Sequence, residues 1–124
     1  MRSIRPHEMS TPLSHAWSRT EAARNAQAVL SGELGVLEGC ISLASLAHDI
    51  IPNWSDDPDF VVFAAISSKV DHLPFGHVRD QWSAASLARA DREIERITRD
   101  TREVVLVACR HILERFGAPE LEAK

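Results

Sequence analysis

Three groupings in this chain bring together residue types that could do chemistry. His48-Asp49, with His15 before it and Asp100 well after it, offers imidazole and carboxylate groups in an order that helices could gather around a metal ion. A metal held that way activates a water for hydrolysis of a phosphoester. The simpler account of His48 is a histidine in the last turn of a helix, favoured by the negative end of the dipole. Asp71-His72 and His77 flank a Pro-Gly turn and could supply part of a zinc site, yet no cysteine or third histidine stands nearby at ligand spacing. Hydrogen bonds from Asp71 to its own turn explain it more simply. Cys109-Arg110-His111 suggests an activated thiol, but successive helical side chains point ~100° apart, so a buried, inert cysteine is the plainer reading.

The remaining signal is charge. The formal net charge is −4. Between Asp49 and Asp80 stand Asp49, Asp56, Asp57, Asp59, Asp71 and Asp80 against only Lys69 and Arg79, so the whole imbalance falls in the central third of the chain. Trp54, Phe75 and Trp82 flank or lie within the same acidic loops. Core packing is the default role of an aromatic, and a solvated face with helix-capping aspartates explains part of the charge. Rigid rings beside aspartates are also what a surface that anchors a basic partner looks like. The candidate binding residues are therefore Asp56, Asp57, Asp59, Asp71 and Asp80, with Trp54, Phe75 and Trp82 as anchors.

Several function classes lose support on composition. No basic footprint for nucleic acid is present, and no apolar run approaches membrane-spanning length. There is no Gly-rich phosphate loop, no Ser-His-Asp grouping and no paired-carboxylate motif, so neither a cofactor nor catalytic residues are assigned. Two isolated cysteines, Cys40 and Cys109, in apolar helical runs without a signal peptide point to a reducing cytoplasm. A chain of 124 residues with 44% hydrophobic and 26% charged residues suits one globular domain with one core.

The elements that must position these residues are all helical. Residues 1–12 have no period and two prolines and read as a loose tail, leaving 13–124 as the single domain. Ser18-Arg19-Thr20-Glu21 fits a capping box, with Trp17 as a hydrophobic staple, for a helix running to about Leu30. A second helix spans about Glu33 to Ile51, its first half kept slim by Gly32, Gly35 and Gly39, and stops at Pro52. Asp57-Pro58-Asp59 opens a third helix with Asp at N-cap, Pro at N1 and an acid facing the dipole. That helix reaches about Val70 and has few polar positions, which makes it the candidate for the most buried one. His77 to Trp82 suits a short helical turn. Ser83 caps an Ala-rich segment and Asp91 can cap a last helix ending at Phe116, before Gly117 and Pro119. The pattern leaves open whether 84–116 is one helix or two. Arg92 to Glu103 alternates in sign as a solvated helix face does. The fold class is all-α, a single-domain bundle of four to six helices.

Two resemblances bear on function. The order of His15, His48-Asp49 and Asp100 is similar to that of HD-type metal-dependent phosphohydrolases, although the residues that usually follow the His-Asp pair are missing. More extensively, Gly32-Glu33-Leu34-Gly35-Val36-Leu37-Glu38-Gly39, Asp57-Pro58-Asp59-Phe60 and Asp71-His72-Leu73-Pro74 with Gly76, Val78, Arg79 and Trp82 resemble a small, uncharacterised all-helical bacterial family. Arg102 through Phe116 is similar to its closing helix. Proteins of this look are associated with polymorphic toxin systems as immunity partners. The resemblance implies a cytoplasmic protein that binds a cognate toxin domain, plausibly a basic nuclease, and occludes its active site. The alternatives are the metal-dependent phosphohydrolase and a structural helical domain that only self-associates.

Overall fold

The computed structural model describes residues 12–117, with side chains from residue 15 onward. Four α-helices, α1 (Pro12–Ser31), α2 (Val36–Ile50), α3 (Pro58–Lys69) and α4 (Ala84–Phe116), are joined by connections that include 3-10 turns at Trp54–Asp56 and Gly76–Gln81. No strand occurs among the described residues. The expected all-α bundle is what forms. The expectation of a loose tail falls almost wholly outside the described residues.

Each helix boundary has a local cause, and two differ from the sequence reading. Helix α1 begins at Pro12, six residues before the expected cap. Proline suits a first helical turn, where its missing N–H is not needed. Ser18 consequently lies mid-helix and fully buried, and its hydroxyl donates to Asp49 Oδ2 on α2 at 3.4 Å. Trp17, expected as a staple, is 59% exposed. The helix ends because Gly32 takes φ +87°, a left-handed conformation that costs glycine least. Helix α2 then starts at Val36, later than expected, and its Gly39 sits where a Cβ would collide with Val29 of α1. That glycine sets how closely α1 and α2 approach.

Helix α3 starts as the sequence demands. The Asp57 carboxylate accepts from the N–H groups of Asp59 and Phe60, both at 3.0 Å, with Pro58 at the first position. Its core face is Phe60, Phe63 and Ile66, while Val61 on the other side is 40% exposed, so one face of α3 is buried rather than its whole circumference. Helix α4 is one continuous helix of 33 residues, about 50 Å at 1.5 Å per residue. Ser83 caps it by accepting from Ser86 N–H at 3.1 Å. Asp91, read as a possible cap, is inside this helix and is used otherwise, as described below.

The core is a single cluster. Leu37, Cys40 and Leu43 of α2 meet Phe60 and Phe63 of α3, Ala22 and Ala26 of α1, and Val105, Cys109 and Ile112 of α4. Helix α2 lies between α1 and α3, and α4 runs mainly along α1 while closing over α3. Both cysteines are free and buried. Burial pushes the Cys40 thiol up to about 12, helped by the neighbouring Cys109, and pushes Cys109 up to about 11. These are inert core thiols, as the sequence suggested.

Candidate functional site

The structure divides the candidate acidic residues into two sets with different roles. Asp57 and Asp59, at the N-terminus of α3, face the C-terminal end of α4. Arg115 forks onto Asp57 through contacts of 3.0 and 2.7 Å and reaches Asp59 Oδ2 at 3.0 Å. His111 Nδ1 lies 2.8 Å from Asp59 Oδ1. The guanidinium also lies 4.9 Å from the ring of Phe116 and 5.8 Å from that of Phe60. Asp59 is buried, 7% exposed. Burial by itself would raise the Asp57 carboxyl, but the Arg115 guanidinium and two backbone N–H groups outweigh it and hold that group below the usual aspartate range. Arg115 is correspondingly raised by its bond to Asp57. This pair of aspartates is a clamp between α3 and α4, so neither offers a free carboxylate for a partner.

The contact with Asp59 occupies Nδ1 of His111, and Nε2 makes no hydrogen bond among the described residues. A histidine oriented in that way could act as a base, yet no hydroxyl or thiol hydrogen-bonds to it among the described residues. His48 and His72 are also engaged. Trp54 Nε1 donates to His48 Nδ1 at 3.2 Å, with the rings edge-on at 5.5 Å. His72 Nε2 lies 3.3 Å from Glu93 Oε1. His48 and Asp49 thus have different partners, the indole of Trp54 and the hydroxyl of Ser18. Among the described residues no three His, Cys, Asp or Glu side chains come together as metal ligands.

Asp56, Asp71 and Asp80 are exposed and make no ion pair among the described residues. Trp54 and Phe75 are half-buried and packed against the core, which is the default role for an aromatic. Trp82 is different, at 36% exposed, and Val78 four residues earlier is 45% exposed. Both belong to the Gly76–Gln81 turn and its immediate end, together with Asp80. This turn is held from beneath. Arg79 forks onto both oxygens of Asp91 in α4, each at 3.0 Å, and donates to the Pro74 carbonyl at 3.3 Å. The bond to Asp91 raises the Arg79 guanidinium, and the same bond holds the Asp91 carboxyl below its ordinary range. Asp91 is therefore the anchor of the turn.

A shallow cleft of about 250 Å³ adjoins this region, where the Gly32–Glu38 stretch faces Phe75, Ile94, Thr98 and Arg102. Its continuation is lined by Glu38, Pro74, Phe75, Gly76, Arg79 and Asp91. Two of the motif stretches singled out in the sequence, residues 32–39 and 71–82, thus border one groove. Among the described residues no buried side-chain polar atom lacks a partner.

Residues 25–112 match a family described as proteins of unknown function (DUF2489). The chain belongs to the DUF2489 family. The match takes in all of α2, α3 and their connections, and α4 as far as Ile112, so every candidate binding residue of this DUF2489 protein falls within it. Arg115 lies just beyond. No curated protein and no solved structure matches the chain. No helix among the described residues of this DUF2489 protein is long and apolar enough to cross a membrane.

Three long-range contacts were invisible in the sequence. The partners of Asp59 lie 52 and 56 residues away, and Asp49 meets Ser18 across 31. Spacing rules reach only three or four residues along a helix. The Arg79–Asp91 fork had a weak signal, an arginine in a turn followed twelve residues later by an acid on a helix, but an Asp preceding a helical run reads first as a cap.

Proposed function

We propose that this DUF2489 protein is a cytoplasmic immunity protein that binds a cognate toxin domain, a basic nuclease, and neutralises it by occluding the active site. The observation that carries this reading is the 3-10 turn at Gly76–Gln81. It is fixed to α4 by the Arg79–Asp91 fork, and it carries Val78 and Trp82 outward beside Asp80, which makes no ion pair among the described residues. A turn that uses its arginine inward and its large apolar residues outward spends no exposed hydrophobic surface on its own core. A tryptophan held on a rigid segment is the residue type that dominates binding energy at protein interfaces. The acidic part of the surface is Asp80 with Asp71 and Asp56, while Asp57 and Asp59 stay in the clamp. Negative charge there would raise the association rate with a basic partner and make it fall with salt.

The test is calorimetric titration against purified basic nuclease toxin domains, at two salt concentrations. The expected result is tight, one-to-one, salt-sensitive binding. Trp82→Ala should weaken it by at least about tenfold, and Asp80→Lys should slow association and flatten its salt dependence. Arg79→Ala, which frees the turn without touching either side chain, should also weaken it. No heat and no complex would remove this pairing.

A further inference from the structure

The face of α4 that points away from the bundle is not uniformly polar. Val104 and Val107 are 48% and 40% exposed, two of the six large hydrophobic residues left exposed among the described residues. They are three residues apart and therefore share one stripe of the helix, continued by Asp100 one turn before and His111 one turn after. Glu103 and Arg110 flank the stripe on the same side. All six residues are exposed. Among the described residues Asp100, Glu103 and Arg110 make no ion pair within the chain. His111 is exposed and uses Nδ1 on Asp59, and its Nε2 makes no hydrogen bond among the described residues.

The charge order along this stripe is complementary to itself when reversed. We propose that α4 pairs antiparallel with α4 of a second copy of this chain, about a two-fold axis between residues 105 and 106. Val104 then meets Val107 of the second copy at the centre. Asp100 faces His111 of the second copy, whose Nε2 makes no hydrogen bond among the described residues. Glu103 faces Arg110 of the second copy. The two-fold repeats each contact, so six interactions with no like-charge opposition come from six residues. A helix face that is merely solvated has no need of this reversal symmetry or of two exposed valines at its centre. Flanking charges of this kind select partner and orientation in paired helices. The surface is separate from the Gly76–Gln81 turn, so a dimer would leave Val78, Asp80 and Trp82 available.

Sedimentation equilibrium of the purified full chain over a wide concentration range tests the pairing without any other protein. A concentration-dependent dimer is expected. Val107→Arg should abolish it, and Glu103→Arg or Arg110→Glu, each alone, should weaken it at least about tenfold by setting like charges opposite one another. Mixing the two charge-reversal variants should restore association as a heterodimer, because every reversed residue then faces its opposite. All these positions are exposed, and far-UV circular dichroism confirms that each variant stays helical. A monomer at every concentration would overturn the proposal and leave this face to solvent or to another protein. A dimer indifferent to the single reversals, or a mixture that does not recover, would overturn it as well. Toxin binding is read in a different experiment, so either result stands whatever the other shows.

Discussion

Replacing Arg115 with alanine should cost this bundle about 3 kcal/mol. The guanidinium makes three charge-assisted bonds to two carboxylates whose side chains are only 10% and 9% exposed, while the arginine itself is 32% exposed. Removing one partner from a buried ion pair costs ~3–5 kcal/mol, because the surviving charge is left with too few bonds. Here the loss is cushioned. Asp57 keeps the N–H groups of Asp59 and Phe60, and Asp59 keeps His111. Solvent reaches the arginine side and lowers the value to ~2–3 kcal/mol, and the lost contact with the Phe116 ring adds back ~0.5–1 kcal/mol. For a domain of this size that total corresponds to a fall in Tm of about 10 °C. Urea unfolding followed by circular dichroism reads it directly. Arg115→Lys should recover only part of the loss, since an ammonium cannot fork onto one carboxylate while bonding a second. The pH dependence has a defined sign. Asp57 has a lowered folded pKa, so its contribution is complete above the ordinary aspartate value near ~3.9 and disappears as pH falls through the lower folded value. The gap between wild type and Arg115→Ala should therefore narrow on acidification below about pH 4. A variant within ~0.5 kcal/mol of wild type at neutral pH would refute the clamp.

Two further outcomes follow from the packing. Gly39→Ala places a Cβ against Val29, which is buried and stiff at its branch point, so the variant should lose about 1–2 kcal/mol in urea unfolding despite alanine's better helix propensity; equal or higher stability would show that α1 and α2 can separate. Cys40 and Cys109, with thiols pushed up to about 12 and 11, should resist a thiol-specific reagent at mildly alkaline pH until the chain unfolds, and rapid labelling of the native protein would contradict their burial.

What could be read from the sequence was what neighbouring residues decide among themselves. Asp57-Pro58-Asp59 opened a helix because a side-chain acceptor, a fixed φ and a favourable charge all act within one turn. Ser83 and Gly117 bracket α4 for the same kind of reason. The misreadings occurred where two local signals competed. Ser18 to Glu21 fits a capping box, but Pro12 already starts α1, and Ser18 is drawn instead to Asp49 across the helix interface. Asp91 suits a cap, but the Ser83 cap upstream keeps the helix continuous and leaves Asp91 for Arg79. The acidic centre was visible as composition. Its division into a clamp and an exposed remainder was not, because the arginine and histidine that claim Asp57 and Asp59 come from the far end of the chain.

The clamp also bears on how the bundle comes apart. Arg115 and Asp57 are 58 residues apart in sequence, so their meeting closes a long loop. Closing so long a loop is entropically costly and comes after the local helices and their apolar contacts have formed. An interaction made after the rate-limiting step leaves the folding rate nearly untouched and acts on the unfolding rate instead. Arg115 should thus govern how long a folded molecule persists, and hence how often it opens to a protease, more than how quickly it assembles.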